Sequence, residues 1–288
     1  MSGVFGSGDG VLRAITDDGA FRVIAVRTTE TVRGVVAAQK APEDAVRILS
    51  DLVTGAILVR ESMAPDLRVQ CILQIEQPRA RVIADAHPDG SSRGLLQRGE
   101  DKLGLALGEG ARLQVARTLH DGALHQGVVS IASADGVSGA LMQYMQLSEQ
   151  VVTMCAVGCF LKGAEVIAAG GYLVQLLPEA AEGPLMVMTE RLADFVSIEP
   201  LLAKGLGAPQ TLLDELLYGM PFTTVGERSI RFACLCDQAR LAAALATLPT
   251  HEIEAFVADG HVLDIACEYC GKEYQFATEQ LRGMLAKS

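Results

Sequence analysis

Four of the seven cysteines in this 288-residue chain stand in two short pairs near its end. Cys234 and Cys236 lie in FACLCDQAR, and Cys267 and Cys270 in IACEYCGKEYQF, a C-x-C and a C-x-x-C separated by 30 residues. Zn2+ takes four soft ligands in a tetrahedron at about 2.3 Å, and two short-spaced cysteine pairs supply such a set. Gly271 follows Cys270, where a tight turn closing the second pair requires positive φ. The spacing predicts one zinc ion held by Cys234, Cys236, Cys267 and Cys270. The competing reading is four ordinary buried thiols, which leaves the double pairing to coincidence.

Four thiolates fill a zinc shell and leave no position for water or substrate, unlike a catalytic site. Neither H-x-E with P-C-x-x-C nor H-E-x-x-H occurs, since His251 and Glu252 run into Ile253-Glu254-Ala255. With no nucleophile–base or paired-carboxylate constellation either, an enzyme is not expected. The cysteines offer redox chemistry instead. A disulfide across the single residue of a C-x-C closes a small strained ring, which makes it labile and oxidising. Metal-held thiolates are already in the state that reacts with peroxide or hypochlorous acid, and their oxidation removes the folding energy that the metal supplied. A redox-controlled unfolding switch is chemically reasonable from these residues. The other three cysteines, Cys71, Cys155 and Cys159, read as buried apolar fillers. In a strand, Cys155 and Cys159 would sit about 13 Å apart, too far to bond.

The elements that must carry these residues show in the periodicity. Strands are expected at Phe21–Thr28, Val69–Ile75 and in two hairpins. One hairpin spans Arg81–Gln97 around His87-Pro88-Asp89-Gly90, the other Arg112–Ile131 around Asp121-Gly122. Ala41–Met63 repeats Val46, Leu49, Val53 and Ile57 at helical spacing, opened by Pro42 and two acids. Ser138–Gln150 reads as a helix, followed by apolar strands over Val151–Leu161 and Ala164–Leu177. The fold class expected is α+β, a mixed N-terminal sheet domain with covering helices over residues 1–181. After it the texture changes: residues 182–227 hold two basic and seven acidic residues, punctuated by glycine and proline. Helices are expected there over Thr189–Gly205, with Leu192, Phe195, Val196 and Leu202 on its apolar side, and over Pro209–Met220, with Leu212, Leu213, Leu216 and Leu217. Residues 182–230 thus read as an amphipathic helical linker, although plain core helices fit the pattern equally well. Residues 231–288 read as a small zinc-binding domain with two short helices between its cysteine pairs.

Half of the residues are hydrophobic and one in five is charged, which excludes a disordered chain. The richest apolar run, Val151–Pro178, is broken by Lys162 and Glu165, so no membrane span is expected, and the first residues have no signal-peptide pattern. A net charge of −11, with no basic–aromatic clusters, speaks against nucleic acid as a partner. The five histidines form no ligand spacing. The expected location is the cytoplasm, where thiols stay reduced.

The stretch from Phe232 to Phe276, with its C-x-C and C-x-x-C followed by Tyr274-x-Phe276, resembles the redox-regulated chaperones of the heat shock protein 33 family, the 33 kDa chaperonins. DGAFRVIAVRTTETV, VIADAHPDGSSRG and AAGGYLVQLLP are similar to that family's segments in the same order, so the resemblance spans essentially the whole chain. It implies an ATP-independent holdase that binds one zinc ion when reduced and is then inactive. On oxidation Cys234 would pair with Cys236 and Cys267 with Cys270, with zinc released and the linker unfolded. Exposed apolar surface would then capture unfolding client proteins, as a homodimer. A zinc-ribbon regulatory protein with purely structural zinc is the alternative. One departure concerns the set point: Asp237-Gln238-Ala239-Arg240 replaces the family's Ser-Arg-Glu-Arg-like run, bringing a negative charge next to the thiolates.

Overall fold

The computed structural model describes residues 8–77, 79–99, 104–108, 110–118, 122–131, 136–178 and 180–285, with the backbone alone for 284 and 285. They fall into two compact units, Met1–Ala233 and Cys234–Ser288.

In the first unit, strand β2 (Phe21–Arg27) buries side chains on both faces: Val23 and Ala25 in one apolar cluster, Ile24 and Val26 in another. Such a strand must lie between two layers. It is the middle of an antiparallel five-stranded sheet, ordered β10 (Phe222–Ser229), β1 (Gly10–Thr16), β2, β9 (Glu165–Leu176) and β8 (Thr153–Lys162). A second sheet is ordered β11 (Arg231–Phe232), β5 (Ser91–Arg98), β4 (Ala80–Ala86), β3 (Val69–Ile75), β6 (Arg112–Thr118) and β7 (Leu124–Ser130). All its pairings are antiparallel except that of β11 with β5. Helix α2 (Glu43–Ser62) packs against strands of both sheets, which is why apolar residues occur all round it and almost none of it meets solvent. Helices α1 (Thr29–Ala38) and α3 (Gly136–Leu147) join the same core.

The other face of the five-stranded sheet is covered by α4 (Glu182–Ala193), α5 (Glu199–Ala203) and α6 (Pro209–Leu216). Met188, Phe195, Ile198 and Leu202 are buried there with Leu212, Leu213, Leu216 and Leu217, against Leu12, Val23, Tyr172 and Val174. The four leucines expected on the second apolar face are all there. The single helix expected over Thr189–Gly205 is instead two. Pro200 has no N–H to donate back to Val196, so a new helix starts around it, with proline in the first turn. Val196 falls in the break and is 63% exposed, not on the apolar side. The first of the two helices begins seven residues earlier than its periodicity indicates, because Pro184 lies in the first turn, where a missing N–H costs nothing. The last part of the segment read as helical, Phe222–Ser229, is the edge strand β10, paired with β1.

The α+β class holds, and the expected elements before residue 178 appear within a few residues of their expected ends. Asp121 and His120, in the second hairpin turn, lie outside the described residues; Gly122 has φ +83. Among the described residues no helix is long and apolar enough to cross a membrane. The second unit holds α7 (Gln238–Leu245), α8 (Thr250–Asp259), the antiparallel pair β12 (Leu263–Ala266) and β13 (Glu273–Phe276), and α9 (Thr278–Leu285). The buried members of its core are Ile253, Cys267, Tyr274, Phe276 and Leu281, too few to hold a domain without a staple.

Candidate functional site

The two cysteine pairs are positioned by different local devices. Cys267 and Cys270 sit on the tight turn that joins β12 to β13. The Gly271 amide donates to the Cys267 carbonyl at 2.7 Å, the Cys270 amide to the same oxygen at 3.3 Å, and the Cys267 amide to the Lys272 carbonyl at 2.9 Å. This turn needs φ +70 at Gly271, as its sequence position indicates. Cys234 and Cys236 lie on an extended stretch that ends at α7. Asp237 is the N-cap of that helix, its carboxylate accepting from the Arg240 amide at 2.8 Å.

These devices bring all four sulfurs within 4.8 Å of one another. Cys234 Sγ lies 3.7 Å from Cys267 Sγ, and Cys236 Sγ lies 3.4 Å from Cys270 Sγ. A tetrahedron with about 2.3 Å metal–sulfur bonds has sulfur–sulfur edges of about 3.8 Å. The four side chains therefore have the size and donor chemistry of a tetrathiolate metal site. Electrostatics points the same way. Desolvation pushes the Cys236 thiol up, but hydrogen bonds from Tyr274 and from the thiols of Cys270, Cys234 and Cys267 outweigh it and bring it down to about 7. Cys270 is lifted to about 12 by desolvation, opposed by the Lys272 amide and reinforced by its bonds to the neighbouring thiols. One negative charge is easily accommodated; further thiolates this close repel it, and a divalent cation is the counter-charge that lets all four ionise. Among the described residues no other group of three or more His, Cys, Asp or Glu has metal-binding geometry.

The remaining cysteines are inert by the same physics. Cys71, Cys155 and Cys159 are buried in the core of the first unit. Burial lifts Cys155 and Cys159 to about 12 and Cys71 further still, so none offers a thiolate near neutral pH.

Comparison with known proteins decides the lineage. Residues 9–277 match the family described as Hsp33 protein. The chain belongs to the Hsp33 family. The 33 kDa chaperonin of Syntrophotalea carbinolica is 29% identical over 288 residues, covering 96% of this chain and 99% of that protein. That of Thermus thermophilus is 28% identical, covering 96% of this chain and 86% of its own. Among solved structures, the 33 kDa chaperonin (heat shock protein 33 homolog) of Thermotoga maritima shares the fold, with a TM-score of 0.80 at 23% identity over 97% of this chain and 98% of that one. These are chaperone relatives across the full length, and the cysteine cluster of this Hsp33-family chain is compatible with zinc and with redox chemistry.

The α4–α6 segment covers an apolar face of the five-stranded sheet. Besides its apolar packing, specific contacts hold the segment. The Tyr172 hydroxyl, fully buried on β9, donates to the Phe195 carbonyl at 2.7 Å. Arg47 of α2 grips both oxygens of Glu199 at 2.9 and 3.3 Å, while donating to the Cys159 carbonyl at 3.3 Å. Arg191 donates to the carbonyls of Glu215 and Tyr218, both at 3.0 Å, tying α4 to the end of α6. Finally, Ile198 lies so close over Gly158 that a β-carbon there would be 2.9 Å from its Cγ2. An isolated glycine inside a strand signals such a close approach, a cue readable in MCAVGCF. The cover is incomplete: an open groove of about 350 Å3 remains between α4 and the sheet, lined by Phe21, Val152, Met154, Leu176, Leu185 and Leu192 among others.

Proposed function

We propose that this protein is a redox-regulated, ATP-independent holdase, not an enzyme, that binds unfolding client proteins under oxidative stress. In the reduced state Cys234, Cys236, Cys267 and Cys270 bind one zinc ion, which supplies the positive charge that keeps four crowded sulfurs deprotonated and ties the two pairs together. Oxidation joins Cys234 to Cys236 and Cys267 to Cys270. With peroxide, a thiolate sulfur attacks one oxygen, hydroxide leaves, and the resulting sulfenic acid condenses with the neighbouring thiol to give a disulfide and water. Each disulfide consumes one peroxide and removes two thiolates from the ligand set, so zinc is released.

The clustering of the sulfurs supports this chemistry, because every sulfur lies within 4.8 Å of every other. The small core of the second unit, with five buried side chains among the described residues, supports the next step, since it has little to fall back on once the metal is gone. Residues 182–230 act as the linker: its release uncovers Leu12, Val23, Tyr172 and Val174 on the sheet and frees its own buried leucines, giving the apolar surface that holds clients. The 50% hydrophobic composition is that surface kept covered, and the charge of −11 keeps the opened form soluble. We place the protein in the cytoplasm, acting as a homodimer when oxidised, with neither nucleic acid nor membrane as a partner.

The observation that carries the reading is the four-sulfur cluster in a chain of this family. Its test treats zinc-loaded protein with peroxide at elevated temperature, and follows zinc release beside light scattering from a heat-denatured client. Zinc release should accompany suppression of scattering. Zinc release with unchanged client aggregation would leave a purely structural metal.

A further inference from the structure

Tyr274 touches two acceptors of a single residue. Its hydroxyl lies 3.1 Å from Cys236 Sγ and 2.9 Å from the Cys236 carbonyl oxygen. A phenol has one proton and donates to one of these at a time. A thiolate wins it, because a charge-assisted hydrogen bond is roughly twice as strong as a neutral one. A disulfide sulfur carries no charge and accepts weakly, so the bond to sulfur does not survive oxidation. The ring is buried on β13, opposite Ile265 of β12, so the hydroxyl is presented by a paired strand and not by a loop. The Lys272 ammonium lies 5.1 Å from the ring centroid, a cation–π contact that draws electron density from the phenol and strengthens it as a donor.

We infer that Tyr274 is a positioning residue for the redox chemistry of the cluster: its hydroxyl donates to Cys236 Sγ while that sulfur is a thiolate, and this bond is lost when the sulfur enters a disulfide. The inference rests on the redox reading above and adds a determinant of its set point. Oxidation removes the metal that staples the small unit, so the hydroxyl then bonds to water and no donor is left unsatisfied. The effect of the hydroxyl therefore falls on the reduced state, which it stabilises. Tyr274 raises the threshold for oxidation.

The test is a thiol–disulfide equilibrium on the full-length protein at a fixed, buffered zinc concentration. In glutathione buffer, a protein thiolate attacks glutathione disulfide and expels one glutathione thiolate. A second protein thiolate then displaces the second glutathione from the mixed disulfide. Two electrons pass to glutathione, and the two expelled glutathione thiolates take their protons from the buffer. The oxidation state of Cys236 is read by alkylation and mass spectrometry across graded glutathione ratios. Tyr274→Phe keeps the ring and removes the hydroxyl. It should bind one zinc ion when reduced, yet oxidise about tenfold more readily, a shift of about 30 mV for a two-electron couple. An unchanged equilibrium, or one shifted towards the reduced form, overturns the inference.

Substitution of all five tyrosines by 3-fluorotyrosine gives the opposite perturbation, because the fluorinated phenol is a stronger donor. It should make Cys236 harder to oxidise, and that change should vanish in the Tyr274→Phe background. A role in packing alone predicts no reversal of sign between the two perturbations; if Tyr274→Phe fails to fold, fluorination that leaves Cys236 no harder to oxidise overturns the inference by itself. The two readings fail separately. A shifted equilibrium in a protein that never protects a client sinks the chaperone reading alone, and client protection with an unmoved equilibrium sinks this one alone.

Discussion

Glycine at position 158 is a point of close approach between the sheet and the α4–α6 segment, and Gly158→Ala tests whether that segment is held as a separable cover. The residue lies within β8 and does not have positive φ, so alanine suits its backbone and should slightly favour the strand. The new methyl, however, would stand 2.9 Å from Ile198 Cγ2, with the Glu199 amide nitrogen 4.0 Å away. Carbon atoms settle at about 3.5–4.0 Å, so Ile198 must retreat by roughly 0.6–1 Å. Its β-branched side chain has little freedom to turn aside, and Glu199 beside it is fixed by Arg47, so the start of α5 has to lift. Overpacking of this kind costs about 1–3 kcal/mol, roughly a 5- to 150-fold loss in the equilibrium that closes the segment on the sheet. The assay is amide hydrogen exchange under reducing conditions. Leu201 and Leu202, whose amides donate to the Ile198 carbonyl at 3.0 and 3.1 Å, should exchange faster by that factor, while β2 amides such as Val23 keep their protection. Ile198→Ala removes the obstructing methyl, so Gly158→Ala should have almost no further effect in that background, a coupling that a double-mutant cycle measures. On the holdase reading, the single variant also protects clients partially without oxidant. Unchanged exchange at Leu201 and Leu202, or equal acceleration in β2, would refute the reasoning, since the segment would then be ordinary core.

Three further outcomes are expected. Asp51 on α2 has Oδ1 buried with no hydrogen-bond partner among the described residues, and desolvation raises its carboxyl to about 7 against the pull of Arg47, with Glu199 adding to the rise. The native state thus keeps a proton that the unfolded chain releases near pH 4, so stability of the first unit falls as pH rises from about 4 to 7 and levels off above. Asp51→Asn should match the parent near pH 4 and exceed it by about 2–4 kcal/mol at pH 8 in denaturant melts; parallel pH profiles would exclude Asp51 as the cause. At Asp237, Ala should lower the stability of the reduced, metal-loaded second unit by about 1 kcal/mol through loss of the cap, whereas Ser, which caps without charge, should be close to neutral; equal losses would mean that the charge matters and not the cap. Removing metal with a chelator under reducing conditions should make amides of α7, α8 and α9 exchange quickly while β1–β9 stay protected, and persistent protection of those helices would show a core that needs no metal.

What the sequence discloses and what it hides divides along the range of the interaction. The twenty residues of α2 and the strands β3, β4 and β5 are legible because periodicity and turn chemistry act over a few residues. The four cysteines are legible because tetrahedral coordination dictates short pairs, and Gly271 because its turn admits little else. Asp237 carries a local signal as well: an aspartate just before QARLAAAL marks a helix start. The contacts that close the linker segment have no local signature. Arg47 and Glu199 are 152 residues apart, Tyr172 meets Phe195 through a backbone carbonyl that no side-chain pattern reports, and β10 finds its partner β1 more than 200 residues upstream. The chain between the last linker helix and the first cysteine is also hidden in this way. After α6 it contributes only β10 and the two-residue β11 before Ala233, whose amide donates to the Ser92 carbonyl at 3.1 Å. Phe232 fills the place where a side chain at Gly34 would otherwise stand. Cys234 therefore follows a strand fixed to the core with only Ala233 between, and β10, which precedes that strand, is paired with β1. Both β10 and β11 are edge strands held on one side each, so no local pattern in the sequence could reveal how this stretch of chain is fastened.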